Sequence, residues 1–131
     1  MEARKIIITG SATRIGAAIA ESLANDGVQI TLHYNKSEKE VKKLKTKLEY
    51  VGCKVFLIKA DLSKAAQTKK IISLAYKKMK GLDCLINNAS IFEKDDLSSF
   101  NEKKFNRHTD INLKAPAILT QNFKKYLKSK K

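Results

Sequence analysis

Apolar residues along this chain fall into two alternating kinds of run. Short, nearly unbroken ones, RKIIITG (4–10), VQITLHYN (28–35), KVFLIKA (54–60) and LDCLINN (82–88), have the length and β-branched content of buried strands. Between them apolar positions recur every three to four residues, the period of a helix with one covered face. IGAAIAESLAND (15–26) predicts a first helix closed by Gly27, a residue favoured just past a helix end. From Ser37, a good N-cap, Val41, Leu44, Leu48 and Val51 predict a second. Ser63 is expected to cap a third, with Thr68, Ile71, Ile72, Ala75 and Met79 inward and Gly81 at its close. After a polar loop, Phe105, Thr109, Asn112, Pro116, Leu119, Phe123 and Leu127 mark one face of a long last helix.

Strands that alternate with helices and are apolar throughout belong to a parallel sheet covered on both faces. Right-handed crossovers then give a doubly wound α/β fold in a single domain spanning 1–131, with strand order 3-2-1-4. Ligands in such sheets bind beyond the carboxyl ends of the strands, where the order reverses. Here that point lies between strands one and four.

The formal charge of +14 raises nucleic acid or an anionic membrane as partners. Of the 27 basic residues only Arg4, Arg14 and Arg107 are arginine, and the lysines spread over several helix faces. That distribution reads as solvated surface, and a salt-sensitive nucleic-acid binder stays as an alternative only. The lysine-rich tail Lys124–Lys131 is the one low-complexity block. No apolar run is long enough for a bilayer, and the opening one is too short for a signal-peptide core. Cys53 and Cys84 form no CxxC pair and only His33 and His108 can join them, so no metal site is expected and a reduced, cytoplasmic setting fits.

The chemistry concentrates after strand one, in TGSATRIG (9–16). Gly10 permits a tight turn, and Gly16 lets a helix begin close to a bound phosphate, where free N–H groups favour an anion. A plain strand-to-helix turn would need the same glycines. Strand two ends in His33, Tyr34, Asn35, Lys36 and Ser37, with no acid before Glu38. An NAD site usually offers a carboxylate there to the ribose 2′-hydroxyl, and a carboxylate would repel a 2′-phosphate. Lys36, Ser37 and Asn35 can instead donate to that phosphate, and Arg14 can add a charge-assisted bond. NADPH therefore explains the arginine in the loop; two ordinary surface cations are the other account. Asn112 and Pro116 form a separate pair. A helical amide bonds the carbonyl four residues back, and proline has no N–H, so the Asn112 carbonyl is left free to hold a water. A kink serving only packing is the alternative.

TGSATRIG, the ADL at 60–62, the NNAS at 87–90 and the INLKAP at 111–116 together resemble the N-terminal half of a short-chain dehydrogenase/reductase, a Rossmann-like fold. Within that family the arginine in the loop, HYNKS and NNASIF look most like pteridine reductases. The resemblance implies hydride transfer from NADPH to a pterin or carbonyl substrate, in an enzyme that forms homo-oligomers. By position, Gly10, Arg14, Ile15 and Gly16 would hold the pyrophosphate and adenosine end, and residues His33 to Ser37 the 2′-phosphate. Asp61 and Leu62 would contact the adenine, though Asp61 can equally cap a helix. Asn88, Ala89 and Ser90 would floor the groove, and Asn112 would anchor a water of the proton relay. Phe92 would sandwich the pterin, or else fold back on the core.

The family's proton donor is a Tyr with a Lys four residues on, helped by a Ser or Asp, all from beyond the fourth strand. Tyr50/Lys54, Tyr76/Lys80 and Tyr126/Lys130 match that spacing by sequence, but they sit on helices and not where the role requires. In a chain with this much lysine the spacing carries little information. This span is thus expected to be the cofactor-binding part, truncated after about four strands. Turnover would then need a C-terminal part, from a second chain or a continued frame. A non-catalytic NADP(H)-binding or strand-pairing module is the alternative.

Overall fold

A computed structural model describes residues 4–127. Four strands, β1 (Lys5–Ile8), β2 (Gln29–Tyr34), β3 (Lys54–Lys59) and β4 (Cys84–Ile86), form one parallel sheet in the order β3-β2-β1-β4. Helices α1 (Arg14–Leu23) and α2 (Glu38–Tyr50) follow the first two strands, and α3 (Ala65–Met79) follows the third. After β4 comes a loop, then α4 (Glu102–Thr109), a π-helical turn (Asp110–Lys114) and α5 (Ala115–Tyr126) in one run.

The isoleucines of β1 show how the layers are made. Successive strand side chains point to opposite faces. Ile6 and Ile8 therefore enter a core with Ala20, Ile30, Leu32, Val41, Leu44 and Leu48, under α1 and α2. Ile7 enters the other core, with Ile58, Ile71, Ile72, Ala75, Met79 and Leu119, under α3 and α5. All three side chains are essentially removed from water, each worth roughly 1.5–3 kcal/mol against exposure. A strand buried on both sides needs an unbroken apolar run, as the sequence has. β4 is half-buried, and among the described residues nothing pairs with its far edge.

The inner face expected for α3 is the one found: Thr68, Ile71, Ile72, Ala75 and Met79 are all buried. Several boundaries differ, each for a local reason. α1 stops at Leu23, and Gly27 (φ +80°) instead turns the chain towards β2, within an Asn25–Val28 turn. Ser37 occupies the N-cap of α2, but its hydroxyl makes no capping bond, and Val51 beyond that helix is about half-exposed. Lys64, not Ser63, is the N-cap of α3, because the Ser63 hydroxyl donates to Asp61 Oδ1. Lys80 rather than Gly81 takes the left-handed cap at its end (φ +54°).

The last helix departs furthest from its expected face. The buried residues are Ile111, Ala115 and Leu119, spaced by four, while Phe105 is 55% exposed and Leu127 lies near the surface. A π-helical turn is wider than an α-turn, so positions four apart stay in register on the core across it. The amide of Ala115 bonds the carbonyl of Asp110, five residues back, and the proline follows directly. The tail beyond Leu127, with Lys130 of the third Tyr/Lys pair, lies outside the described residues.

In the row Leu85, Ile7, Thr31 and Phe56, which crosses the sheet, the Thr31 hydroxyl is buried without a hydrogen-bond partner. Thr31→Val keeps the shape and removes the unpaired group, so it is expected to raise unfolding stability by about 1 kcal/mol in a urea titration. A destabilised variant would show that the hydroxyl is satisfied.

Candidate functional site

The carboxyl ends of the strands enclose a groove of about 390 Å³. Its lining from the β1–α1 turn is Gly10, Thr13, Arg14, Ile15 and Gly16. From the ends of β2 and β3 come His33, Asn35, Ala60, Asp61 and Leu62. Asn88, Ala89, Ser90 and Ile91 follow β4, and Arg107 and Ile111 come from α4 and the π-helical turn.

The turn is held by packing that leaves no room for side chains. Gly10 is left-handed (φ +59°), and a Cβ there would sit 2.8 Å from the Ala89 Cα. Gly16 is not left-handed; a Cβ on it would meet the Gly10 carbonyl oxygen at 2.3 Å and Asn88 Nδ2 at 2.6 Å. Its role in the fold is thus to let the helix close on its own turn. Asn88 completes the joint. Its Nδ2 donates to the carbonyls of Thr9 (3.0 Å) and Gly10 (3.1 Å), and its amide and that of Ala89 both donate to Thr9 Oγ1 at 3.0 Å.

Arg14 is the residue that glycine would suit. Its φ of +51° is a conformation that costs a non-glycine residue roughly 1–3 kcal/mol. Thr13 caps α1 without a side-chain bond and the first turn holds no acid, so the helix's free amides face the groove uncompensated. An anion is the ligand these groups suit.

At the end of β2 the five expected residues separate. Asn35 lines the groove, while Lys36 is exposed and Ser37 half-buried just past its wall. Tyr34 is 7% exposed, packs in the α1/α2 core and is not among the groove-lining residues. His33 lines the groove, with both ring nitrogens engaged. The Gly10 amide donates to its Nδ1 (3.0 Å), which makes Nε2 the protonated nitrogen, donating to the Ala60 carbonyl at 2.9 Å. Both nitrogens are spent bracing three strand ends, and neither remains for a ligand. Burial holds the His33 imidazole below its ordinary pKa, only partly opposed by the Ala60 bond.

Asp61 sits at the mouth, its Oδ1 accepting from the Ser63 hydroxyl (2.7 Å) and amide (2.9 Å). The Ser63 hydroxyl above all, with Lys64 and Arg107 adding charge, keeps this carboxyl below the usual range and ionised. Leu62 is buried beside it. Phe92 is 90% exposed, which overturns the account in which it folds onto the core. Asn112 is outside the lining, and its side chain clasps the peptide of Ile91: Oδ1 accepts from the amide (2.8 Å) and Nδ2 donates to the carbonyl (2.9 Å). His108 and Arg107 fix Glu93 in the same loop, by a bond from the Glu93 amide to Nε2 (2.9 Å) and an ion pair at 3.0 Å.

None of the tyrosines with a lysine four residues on lines the groove: Tyr50 is 92% exposed at the end of α2, and Tyr76 packs on Tyr126, centroids 4.7 Å apart. The sequence reading missed Thr13, Ala60, Ile91, Arg107 and Ile111 as groove residues. Thr13, Ala60, Ile91 and Ile111 stand inside TGSATRIG, ADL, NNASIF and INLKAP, whereas Arg107 lies outside these motifs, five residues before Asn112 on the same helical run.

The family model described as short chain dehydrogenase matches residues 4–131. An uncharacterized oxidoreductase of Methylorubrum extorquens is 29% identical over 127 residues, 97% of this chain and 51% of that protein. A short chain dehydrogenase from Burkholderia cenocepacia, solved with NADP, superposes with a TM-score of 0.91 at 27% identity, over 95% of this chain and 51% of that one. FolM alternative dihydrofolate reductase 1 from Brucella canis, also complexed with NADP, gives a TM-score of 0.88 at 29% identity, over 96% and 51%. The chain thus spans about half the length of the relatives it matches.

The His33 brace has a pH signature. Its pKa is lower folded than unfolded, so between the two values the unfolded chain binds the extra proton and stability rises with pH. The contribution is complete above about 6.5 and lost as the pH falls through the folded value. Urea midpoints should therefore drop on acidification from pH 7.5 to 5, and His33→Gln should flatten that slope. An unchanged slope in the variant would remove His33 from the account.

Proposed function

Because the chain belongs to the short-chain dehydrogenase family, we propose that it is the coenzyme-binding part of an NADPH-dependent oxidoreductase that reduces a pterin or a related carbonyl compound. The observation that carries the coenzyme is the pairing of Arg14 and the open α1 N-terminus with a β2 end that offers Asn35 and no carboxylate. Among the lining residues the one acid is Asp61, at the end of β3, suited to accept from an adenine amine. Lys36 and Ser37, just beyond Asn35, can close around a 2′-phosphate without moving the strand. Asn88, Ala89 and Ser90 form the floor, and Ile15, 70% exposed at the start of α1, covers the pyrophosphate.

The bound coenzyme supplies the hydride. The chain's own part is to hold it against the turn and to keep a proton path beside it. In a regular α-helix the Asn112 carbonyl would accept from residue 116, which is proline. The π-helical turn lies at this place, with the Ala115 amide on the Asp110 carbonyl. The Asn112 carbonyl is the group proposed to hold a water, with the Asn112 side chain fixing its position through Ile91. Phe92, exposed one residue past the groove wall, is free to stack on a flat pterin; FolM alternative dihydrofolate reductase 1 among the relatives supports that class of substrate.

A tyrosine to donate the proton is expected from sequence beyond this span, as a continuation or a second chain, and homo-oligomerisation would follow in the completed enzyme. Among the described residues nothing pairs with the far edge of β4 and no tyrosine lines the groove, which favours, for these 131 residues alone, a chain that binds coenzyme without turnover.

Calorimetry with NADPH and NADH tests the reading. NADPH should bind more tightly to the unmodified chain. Arg14→Gly should leave the melting temperature unchanged or higher, since it relieves a left-handed arginine, while weakening NADPH about tenfold through one lost charge-assisted bond. Dihydrobiopterin added to the 131-residue chain should cause no NADPH oxidation. NADH held as firmly as NADPH, or neither held even by a completed enzyme, would end the proposal.

A further inference from the structure

At the Asp61–Leu62 end of the groove the helix side is formed by Arg107 and Ile111. Arg107 also borders a second hollow of about 530 Å³, shared with Ser63, Glu102, Lys103, Asn106 and Asp110. Arg107 thus borders both spaces. Glu93 Oε1 accepts from Nη1 at 3.0 Å, which fixes one corner of the guanidinium, and the side chain remains 47% exposed. Its charge reaches the Asp61 carboxylate. The remaining lining at this end, Ala60, Leu62 and Ile111, is apolar. A slot with apolar walls, a carboxylate at one edge and a planar cation at the boundary fits a flat, electron-rich ring with an exocyclic amine.

We propose that Arg107 lays its guanidinium plane on the adenine of the bound coenzyme and is the residue through which α4 selects a purine at this end of the groove. The inference rests on the coenzyme reading above and adds to it a second arginine with a different task. Arg14 meets phosphate as a charge, whereas Arg107 meets a neutral base as a surface. Guanidinium is suited to this because it is planar and weakly hydrated, while an ammonium is a compact, strongly hydrated charge. The Glu93 ion pair supports the arrangement by orienting the plane before the ligand arrives, and the Glu93 amide is itself tied to His108.

The test is calorimetry of the full chain and three variants with NADPH and with 2′,5′-ADP, which carries the adenine and 2′-phosphate without the nicotinamide. R107A should weaken both ligands about three- to tenfold, the range of a partly exposed cation–π contact. R107F should regain most of the loss, because a phenyl ring also stacks, and R107K should regain little. The reverse pattern, with R107K restoring affinity and R107F not, would show a point charge acting on phosphate and overturn the proposal, as would R107A binding like the unmodified chain. Arg107 is half-exposed, and unchanged melting temperatures will confirm that the variants are folded. An unmodified chain that binds neither ligand would sink the coenzyme reading and this inference together; one that binds both regardless of residue 107 would sink this inference alone.

Discussion

The site depends on how closely the end of β1 is joined to its neighbours. Beyond the last ladder bonds the amides and carbonyls at the ends of parallel strands lack strand partners, and buried groups of that kind must find others. Here they find them in the side chains of Thr9 and His33. Thr9 Oγ1 takes the amides of Asn88 and Ala89 from the β4 side, and His33 spans from the Gly10 amide to the Ala60 carbonyl on the other. The ends of all four strands are thereby fixed around one turn, and the turn can approach them only because positions 10 and 16 lack a Cβ. Groove shape follows from this joint more than from any residue that faces a ligand.

The same logic explains why Arg14 can stay left-handed. A strained conformation persists when its surroundings over-determine it. Gly10 and Gly16 are locked on either side of it by contacts that no rotation of Arg14 can relax. The arginine's position is thus imposed by its neighbours, and the cost is borne by a chain whose cores on both faces of the sheet are well filled. The second wall is built differently. The loop after β4 has exposed residues at Phe92, Leu97 and Phe100 and little core of its own. It is placed by three side chains of one helical run, Arg107, His108 and Asn112, each reaching to Glu93 or Ile91.

Much of the fold was legible because burial on both faces leaves a plain mark: four apolar runs, the alternation of helices and the strand order all follow from it. The inner face of α3 was legible in the same way, from spacing alone. The face of the last helix was not, since a π-helical turn changes the period within it, and neither Phe105 nor Thr109 is buried as a constant α-helical period would require. In the site, the glycines, Arg14, Asn35, Asp61 and the residues after β4 could be placed from their position relative to strand ends. That Tyr34 packs in the α1/α2 core while His33 lines the groove with both ring nitrogens bonded was not legible, because both stand at the end of β2 and only packing separates them. Arg107 escaped notice for the complementary reason. It is distant in sequence from every strand end and reaches the groove only because α4 folds back across it.

His33 and Arg107 are held in different ways, and the difference bears on how such grooves discriminate. Residues at a strand end are held by the sheet, so a buried imidazole there serves as a brace whose value is rigidity. Residues from a helix that crosses the groove are held by a few polar contacts, so a half-exposed guanidinium there can adjust to a ligand. Affinity for phosphate needs the first kind of support, because amides and Arg14 must already converge when the anion arrives. Recognition of a base needs the second, because a flat face tolerates sliding in its own plane while a hydrogen-bonded cradle does not. The division between a fixed turn and an adjustable helix would therefore let one groove hold the two ends of a nucleotide by different physics.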